Sequence, residues 1–163
     1  MAVKLAKSMG ADVTVLSTSP SKDEAAARLG AKAFVASREP GALDPLAGKF
    51  ELILDTVSAP HDLEKPLALL RNFGTMALLG LPPDATSATP INARSLVFGN
   101  KRLAGSNIGG IAETQEMLDH CGKNGIVADV EVISASQIDD AYKRMQQGDV
   151  RYRFVIDCAS IGA

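Results

Sequence analysis

The chain has 163 residues, of which 46% are hydrophobic and 22% charged, a balance typical of globular protein that excludes disorder for most of its length. Its 17 basic and 19 acidic residues give a net charge of −2, so it has no basic surplus of the kind nucleic-acid-binding proteins show. No apolar run is long enough to span a membrane, and two cysteines are too few for a disulfide framework or a thiolate zinc site. We therefore expect a cytoplasmic protein that binds neither nucleic acid nor membranes.

Helices and strands are predicted to alternate along the whole chain. Helices are predicted, in chain order, over 1–9, about 21–29, 62–71, 112–123 and 137–145. Strands are predicted over 12–16, 33–35, 51–57, 74–80, 101–106, 130–133 and 152–157, with a Pro-rich loop over 81–90. The strands are apolar runs rather than strict apolar and polar alternations. This pattern predicts an α/β fold with a parallel sheet covered by helices on both faces.

The start of the chain is unusual for a doubly wound nucleotide-binding fold. Such a fold begins with a strand and a glycine-rich turn, whereas this sequence begins with a helix and contains no G-x-G-x-x-G motif. Either the fold is a different one, or its first strand and phosphate loop are missing. In the second case the strands 12–16 and 51–57 would flank the gap and leave two unpaired strand edges. A composition shift near Gly109–Gly110 indicates a boundary between 1–109 and 110–163.

A polar segment, Ser17 to Lys22, follows the first strand. In dinucleotide folds an acidic residue at this strand end binds the ribose hydroxyls and selects NAD. This sequence has hydroxyls and a lysine there instead, which could bind a 2′-phosphate through hydrogen bonds and charge and so favour NADP. The alternative is helix capping by Ser19 or Ser21, and on the segment alone capping is the stronger interpretation.

The sequence MAVKLAKSMGADVTVLSTSPSK (1–22) resembles the segment that follows the glycine-rich loop in zinc-dependent medium-chain alcohol dehydrogenases. It is most similar to their NADP-dependent, cinnamyl-alcohol-dehydrogenase-like branch. Further matching segments occur in the same order at 29–31, 54–57, 108–110, 113–118 and 149–157. The resemblance implies a Rossmann-type NADP-binding domain over 1–109, lacking its first strand and glycine-rich loop, and a C-terminal part of the catalytic domain over 110–163.

The resemblance also implies a set of cofactor-binding residues. The 2′-phosphate of NADP would be held by Ser17, Thr18 and Lys22, and the adenosine and its ribose by Thr56, Val57 and Ser58. The nicotinamide side would be held by Gly80, Leu81, Ser106, Asn107 and Ile108. Arg153, near the C-terminus, would also contact the cofactor. The alternative for residues such as Thr56, Gly80 and Ser106 is that strands commonly end in small polar residues.

The activity implied by the resemblance is hydride transfer between NADP(H) and a primary alcohol or aldehyde. The family's catalytic and structural zinc ligands lie in an N-terminal half that has no counterpart in these residues. We therefore assign no catalytic or metal-ligating residue, and expect the chain alone to be inactive. The family forms homodimers through the region 95–109, in which Leu96, Val97 and Phe98 would supply an apolar contact. A non-catalytic nucleotide-binding or dimerisation module, or a non-functional truncated product, is the alternative.

Overall fold

The structure is a computed structural model, and it describes residues 1–81 and 90–162. Most of the predicted Pro-rich loop lies in 82–89, outside the described residues. The strands are β1 (Thr14–Ser17), β2 (Ala33–Ala36), β3 (Phe50–Asp55), β4 (Leu70–Leu78), β5 (Arg102–Gly105), β6 (Glu131–Ser134) and β7 (Phe154–Asp157). The α-helices are α1 (Ala2–Ser8), α2 (Asp23–Leu29), α3 (Glu64–Leu69), α4 (Ala93–Val97), α5 (Ile111–Lys123) and α6 (Ile138–Gln146).

The strands form three sheets in which every pairing is parallel. β1 pairs with β2, β4 lies between β3 and β5, and β6 pairs with β7. Parallel strands need crossover connections, and helices supply them, so the predicted α/β class with parallel sheets is confirmed. Among the described residues β1 and β3 do not pair with each other. Leu52 and Leu54, two residues apart and therefore on the same face of β3, are 55% and 41% exposed.

Two glycines end the first two helices as the sequence predicts. Gly10 follows α1 with a φ of 86°, and Gly30 follows α2 with a φ of 102°. Side chains other than glycine rarely adopt this left-handed region, in which the chain reverses and helix carbonyls find partners. At Gly30 the backbone N–H donates to the carbonyl of Ala27. These turns carry the chain from each helix into β1 and β2.

The largest difference from the predicted elements lies between α3 and β4. The helix ends at Leu69 and the strand begins at once at Leu70, whereas the sequence predicts a helix to 71 and a strand from 74. The pairing with β3 shifts register after Phe50, because residues 71–74 are accommodated there. Phe73 in this irregular segment has a φ of 63°. The short helix α4 was not predicted.

The core is aliphatic and lies under the three-stranded sheet. It consists of Leu63, Leu67, Leu70 and Met76, and both Leu67 and Met76 are fully buried. Partly buried side chains pack around it from β3, β4, α4, β5 and the segment before α4; they are Ile53, Leu78, Leu96, Leu103 and Ile91. The core therefore fixes β3, β4 and β5 relative to one another, and these are the strands that carry most of the candidate site.

Helix α1 contacts the C-terminal third of the chain. Lys4 Nζ donates to the Val127 carbonyl at 2.9 Å and lies 2.8 Å from Asp129 Oδ1. Ser8 Oγ lies 2.8 Å from His120 Nε2 on α5. The side chain of Lys4 is only 21% exposed as a result. These bonds join residues on either side of the predicted boundary at 109.

Candidate functional site

Three of the predicted site segments meet at one edge of the β3–β4–β5 sheet. Residues 56–58 follow β3, residues 80–81 follow β4, and residues 106–108 follow β5. Because the strands are parallel, these segments all lie at the carboxyl edge, where ligands of open α/β sheets bind. Backbone hydrogen bonds join them: the N–H groups of Leu79 and Gly80 donate to the Asp55 carbonyl, and that of Ser106 donates to the Leu78 carbonyl.

Gly80 packs directly against the backbone of Val57. A Cβ atom at position 80 would overlap the carbonyl group of Val57 and would lie 2.9 Å from its backbone nitrogen. Only a residue without a side chain therefore allows the segments after β3 and β4 to approach this closely. Gly105, at the end of β5, has no heavy atom within 4 Å of the corresponding Cβ position. Of these two glycines at the carboxyl edge, only Gly80 is therefore required by close packing.

The carboxyl edge exposes apolar and hydrogen-bonding groups together. Val57 is 47% exposed, Leu81 83% and Ile108 90%. Thr56 and Ser58 flank Val57, and Ser106 and Asn107 precede Ile108; all four are exposed. Such an edge can pack flat rings against aliphatic side chains while hydroxyl and amide groups bond a sugar or a carboxamide.

The predicted 2′-phosphate residues lie on the β1–β2 sheet. Ser17 is the last residue of β1 and is half-buried, whereas Thr18 and Lys22 are exposed. Among residues 1–81 and 90–162, no carboxylate forms an ion pair with Lys22, so its ammonium is available to an anion. The capping alternative is wrong here: neither Ser19 nor Ser21 makes a side-chain cap bond, and their hydroxyls bond each other at 2.9 Å.

Arg153 lies apart from the other candidates in the fold. It is exposed and immediately precedes β7, so it occupies the amino end of a strand in the β6–β7 sheet. Its backbone carbonyl accepts a hydrogen bond from the Glu131 N–H at 2.8 Å. The structure therefore brings together the segments after β3, β4 and β5, places the serine–threonine–lysine group at the end of β1, and leaves Arg153 on a third sheet.

A buried acid and a histidine form a pair beside the carboxyl edge, and this pairing was not predicted from the sequence, which placed His61 only near a helix start and close to the cofactor. Asp55 ends β3 with 7% exposure, and its Oδ2 lies 2.6 Å from His61 Nε2. The other ring nitrogen of His61 lies 2.8 Å from the Ala59 carbonyl. Burial lowers the pKa of His61, but its hydrogen bonds to Ala59 and Asp55 outweigh that effect, so the net pKa is raised. An acid at a strand end six residues before a histidine was the available signal.

The described residues contain no arrangement that fits zinc. Within 1–81 and 90–162, no three His, Cys, Asp or Glu side chains are grouped so as to hold a metal ion. Cys121 is buried on α5 and Cys158 is exposed after β7. We also find, for the same part of the chain, no helix with the length and apolarity needed to cross a membrane.

Comparison with known proteins identifies the class. Residues 1–123 match the zinc-binding dehydrogenase family, and the chain belongs to that family. NADP-dependent alcohol dehydrogenase C 1 of Mycolicibacterium smegmatis is 51% identical over 163 residues, which are 99% of this chain and 45% of that protein. The chain thus spans less than half the length of the curated relatives it matches.

Solved structures agree with this assignment. A cinnamyl alcohol dehydrogenase of Sorghum bicolor superposes with a TM-score of 0.91 at 43% identity, over 98% of this chain and 44% of that one. The CAD enzyme of Helicobacter pylori, solved in complex with NADP(H), gives a TM-score of 0.84 at 35% identity over the same shares of the two chains. The Rossmann-like fold and the predicted family are therefore confirmed.

Proposed function

We propose that this chain forms the NADP(H)-binding part of an NADP-dependent alcohol dehydrogenase or aldehyde reductase. In the complete enzyme, hydride would pass between NADP(H) and a primary alcohol or aldehyde. The observation that carries the proposal is the 51% identity, across 163 residues, to an NADP-dependent alcohol dehydrogenase. The carboxyl edge of the β3–β4–β5 sheet supports it, because it offers the mixture of apolar and hydrogen-bonding groups that a dinucleotide requires.

We assign choice of cofactor to Ser17, Thr18 and Lys22. The two hydroxyls would donate hydrogen bonds to the 2′-phosphate, and the Lys22 ammonium would supply the opposing charge. The availability of Lys22 supports this role. An acidic residue in the same place would repel the 2′-phosphate and select NAD, and no acidic residue lies between Ser17 and Lys22.

The carboxyl edge would orient the remainder of the cofactor. NADP supplies the hydride carrier, its nicotinamide ring. In our proposal Thr56, Val57 and Ser58 form the wall beside the adenosine and its ribose. The segments after β4 and β5 lie toward the nicotinamide, where exposed apolar side chains would exclude water and polar groups would bond the carboxamide. The residues assigned to that side are Gly80, Leu81, Ser106, Asn107 and Ile108.

The domain boundary, the role of Arg153, the inactivity of the chain by itself and its cytoplasmic location are proposals. We place the NADP-binding domain at 1–109 and a part of the catalytic domain at 110–163, in keeping with the separate β6–β7 sheet. Arg153 is assigned as a further cofactor contact on the family resemblance alone. The described residues do not fit zinc, so we derive no step through it, and we expect residues 1–163 by themselves to be inactive. The cytoplasmic location is a prediction from composition.

We also propose that the complete enzyme is a homodimer joined at β5. This strand is the last in its sheet, and its outer edge is unpaired within the described part of the chain. Val97 and Phe98, just before it, are 69% and 73% exposed. Leu96 was predicted to share this contact, but it packs against the core instead. The proposed contact therefore consists of the β5 edge, Val97 and Phe98.

The cofactor assignment is tested in a full-length chimera in which residues 1–163 replace the aligned segment of the M. smegmatis relative. Affinities for NADPH and NADH are measured from nicotinamide fluorescence. We expect a preference for NADPH, and Lys22→Glu should weaken NADPH binding by about tenfold or more while NADH affinity is unchanged. Lys49→Glu is the matched control, because this exposed lysine immediately precedes β3 and so lies at the amino end of the β3–β4–β5 sheet rather than at its carboxyl edge. Equal affinity of the unmodified chimera for both cofactors would refute the proposal.

A further inference from the structure

Asp55 and His61 bracket the segment assigned to the adenosine side of the cofactor. Asp55 is the last residue of β3, and residues 56–60 after it are all exposed until His61 returns to the buried carboxylate. Asp55 Oδ1 accepts a hydrogen bond from the Val57 N–H at 3.0 Å, and Oδ2 contacts His61 Nε2 at 2.6 Å. The two side chains thus close a loop of five exposed residues at its base.

The hydrogen-bond partners determine where the protons lie. A backbone carbonyl can only accept, so His61 Nδ1 must donate to the Ala59 oxygen. At 2.6 Å, Nε2 and the Asp55 carboxylate cannot face each other as two acceptors, so a proton lies between them. When both ring nitrogens donate, His61 is an imidazolium paired with the Asp55 carboxylate, and this is the state that its raised pKa favours. Its side chain is 31% exposed while that of Asp55 is 6% exposed, so water reaches the histidine side of the pair.

From this geometry we infer that His61 is a positioning residue, which holds residues 56–60 in the conformation that presents Thr56, Val57 and Ser58 to the cofactor. The inference rests on the proposed function, because it concerns the same site. His61 reaches the loop at two points: it bonds the Ala59 carbonyl directly, and it fixes the carboxylate that accepts from the Val57 N–H. Val57 in turn packs against Gly80, so the pair also sets the approach of the segment after β4.

The charge of His61 gives the inference a pH dependence. The charged groups that face it within the described residues are both acidic, Asp55 from β3 and Asp62 from its own segment, and they favour the imidazolium. Loss of one proton leaves a neutral ring that can donate from only one of its two nitrogens, so either the Ala59 carbonyl or the Asp55 carboxylate loses its hydrogen bond and the base of the loop is less firmly held. Cofactor affinity should therefore fall as the pH rises through the raised pKa of His61.

The experiment uses His61→Ala and His61→Gln, because substitution of the more deeply buried Asp55 would also disturb the fold. His120→Gln is the matched control, since the chain has two histidines and His120 bonds Ser8 on α1. In the chimera, both His61 variants should raise the KM for NADPH about tenfold with kcat unchanged, and His120→Gln should leave both unchanged. In the 163-residue chain, the Val57 amide should exchange with solvent faster in the His61 variants only.

A pH series separates positioning from general destabilisation. NADPH affinity is measured from about pH 6 to about pH 9, and each variant is compared with the unmodified chimera because the 2′-phosphate itself titrates near pH 6. Affinity should fall with rising pH in the unmodified chimera more steeply than in His61→Ala. The inference is overturned if both His61 variants bind NADPH as tightly as the unmodified chimera does and their affinity changes with pH by the same amount. Failure of the unmodified chimera to prefer NADPH would instead overturn the proposed function.

Discussion

Replacing Gly80 by alanine tests the close packing on which the candidate site depends. The added methyl group would overlap the Val57 carbonyl, which belongs to the backbone and cannot rotate away. Relief requires the segments after β3 and β4 to separate. That movement strains the bonds from Leu79 N and Gly80 N to the Asp55 carbonyl, at 2.8 and 3.1 Å, and from Val57 N to Asp55 Oδ1 at 3.0 Å.

The expected loss of stability follows from these contacts. Overpacking of this kind costs about 1–3 kcal/mol, and loss of one hydrogen bond adds about 1 kcal/mol, so the free energy of unfolding should fall by about 2–4 kcal/mol. For a chain of this length that corresponds to a melting temperature lower by about 4–16 °C. The loss is large against the total of about 5–15 kcal/mol that a typical domain has.

The loss of stability is measured by urea and thermal denaturation followed by far-ultraviolet circular dichroism. Tryptophan fluorescence cannot be used, because the chain has no tryptophan. Gly105→Ala is the matched control: Gly105 is the last residue of β5, the neighbouring strand of the same sheet, and its added methyl group would meet no heavy atom within 4 Å. The control should be unchanged or up to about 1 kcal/mol more stable, because alanine restricts the unfolded chain. If Gly80→Ala unfolds at the same urea concentration as Gly105→Ala, the packing argument is refuted.

Two further predictions concern assembly and activity. In the chimera, Phe98→Glu should convert a dimer into a monomer in sedimentation velocity, because it places a charge in the proposed apolar contact. Phe98→Leu, the control, should remain dimeric. A dimeric Phe98→Glu variant would contradict the β5 interface. Residues 1–163 alone should show no turnover of primary alcohols with NADP and no stoichiometric zinc by metal analysis, because the described residues offer no metal site. Turnover that persists after rigorous purification would contradict this expectation.

Apart from the short helix α4, the order and type of the helices and strands could be predicted from the sequence, because glycine stops and apolar runs are local signals. Gly10 and Gly30 end their helices as predicted. The junction of α3 and β4 was misplaced because it depends on tertiary structure. Residues 70–73 extend β4 only because Leu70 is buried in the core and pairs with Phe50, and neither contact is visible in local sequence.

The candidate site, too, could be predicted where it depends on local sequence signals and could not be predicted where it depends on tertiary structure. Residues at strand ends, such as Thr56 and Ser106, follow from the predicted parallel sheet, since its carboxyl ends share one edge. The Asp55–His61 pair did not follow, because a loop must reverse to bring the histidine back to the strand end, and periodicity carries no information on such a reversal. The capping alternative for Ser19 and Ser21 was wrong for a related reason: the hydroxyls that resemble caps bond each other instead.

The all-parallel pairing has a consequence for how this chain folds. The first registered partners lie 19 residues apart in β1 and β2 (14 to 33), 20 apart in β3 and β4 (50 to 70), 27 apart in β4 and β5 (75 to 102), and 23 apart in β6 and β7 (131 to 154). No pair can start as a hairpin, so each ladder forms only after a long connection has closed and lost its entropy. Chains with such non-local contacts fold slowly. During that interval every strand edge that has not yet found its partner can pair with another chain, so refolding yield should fall as the protein concentration rises.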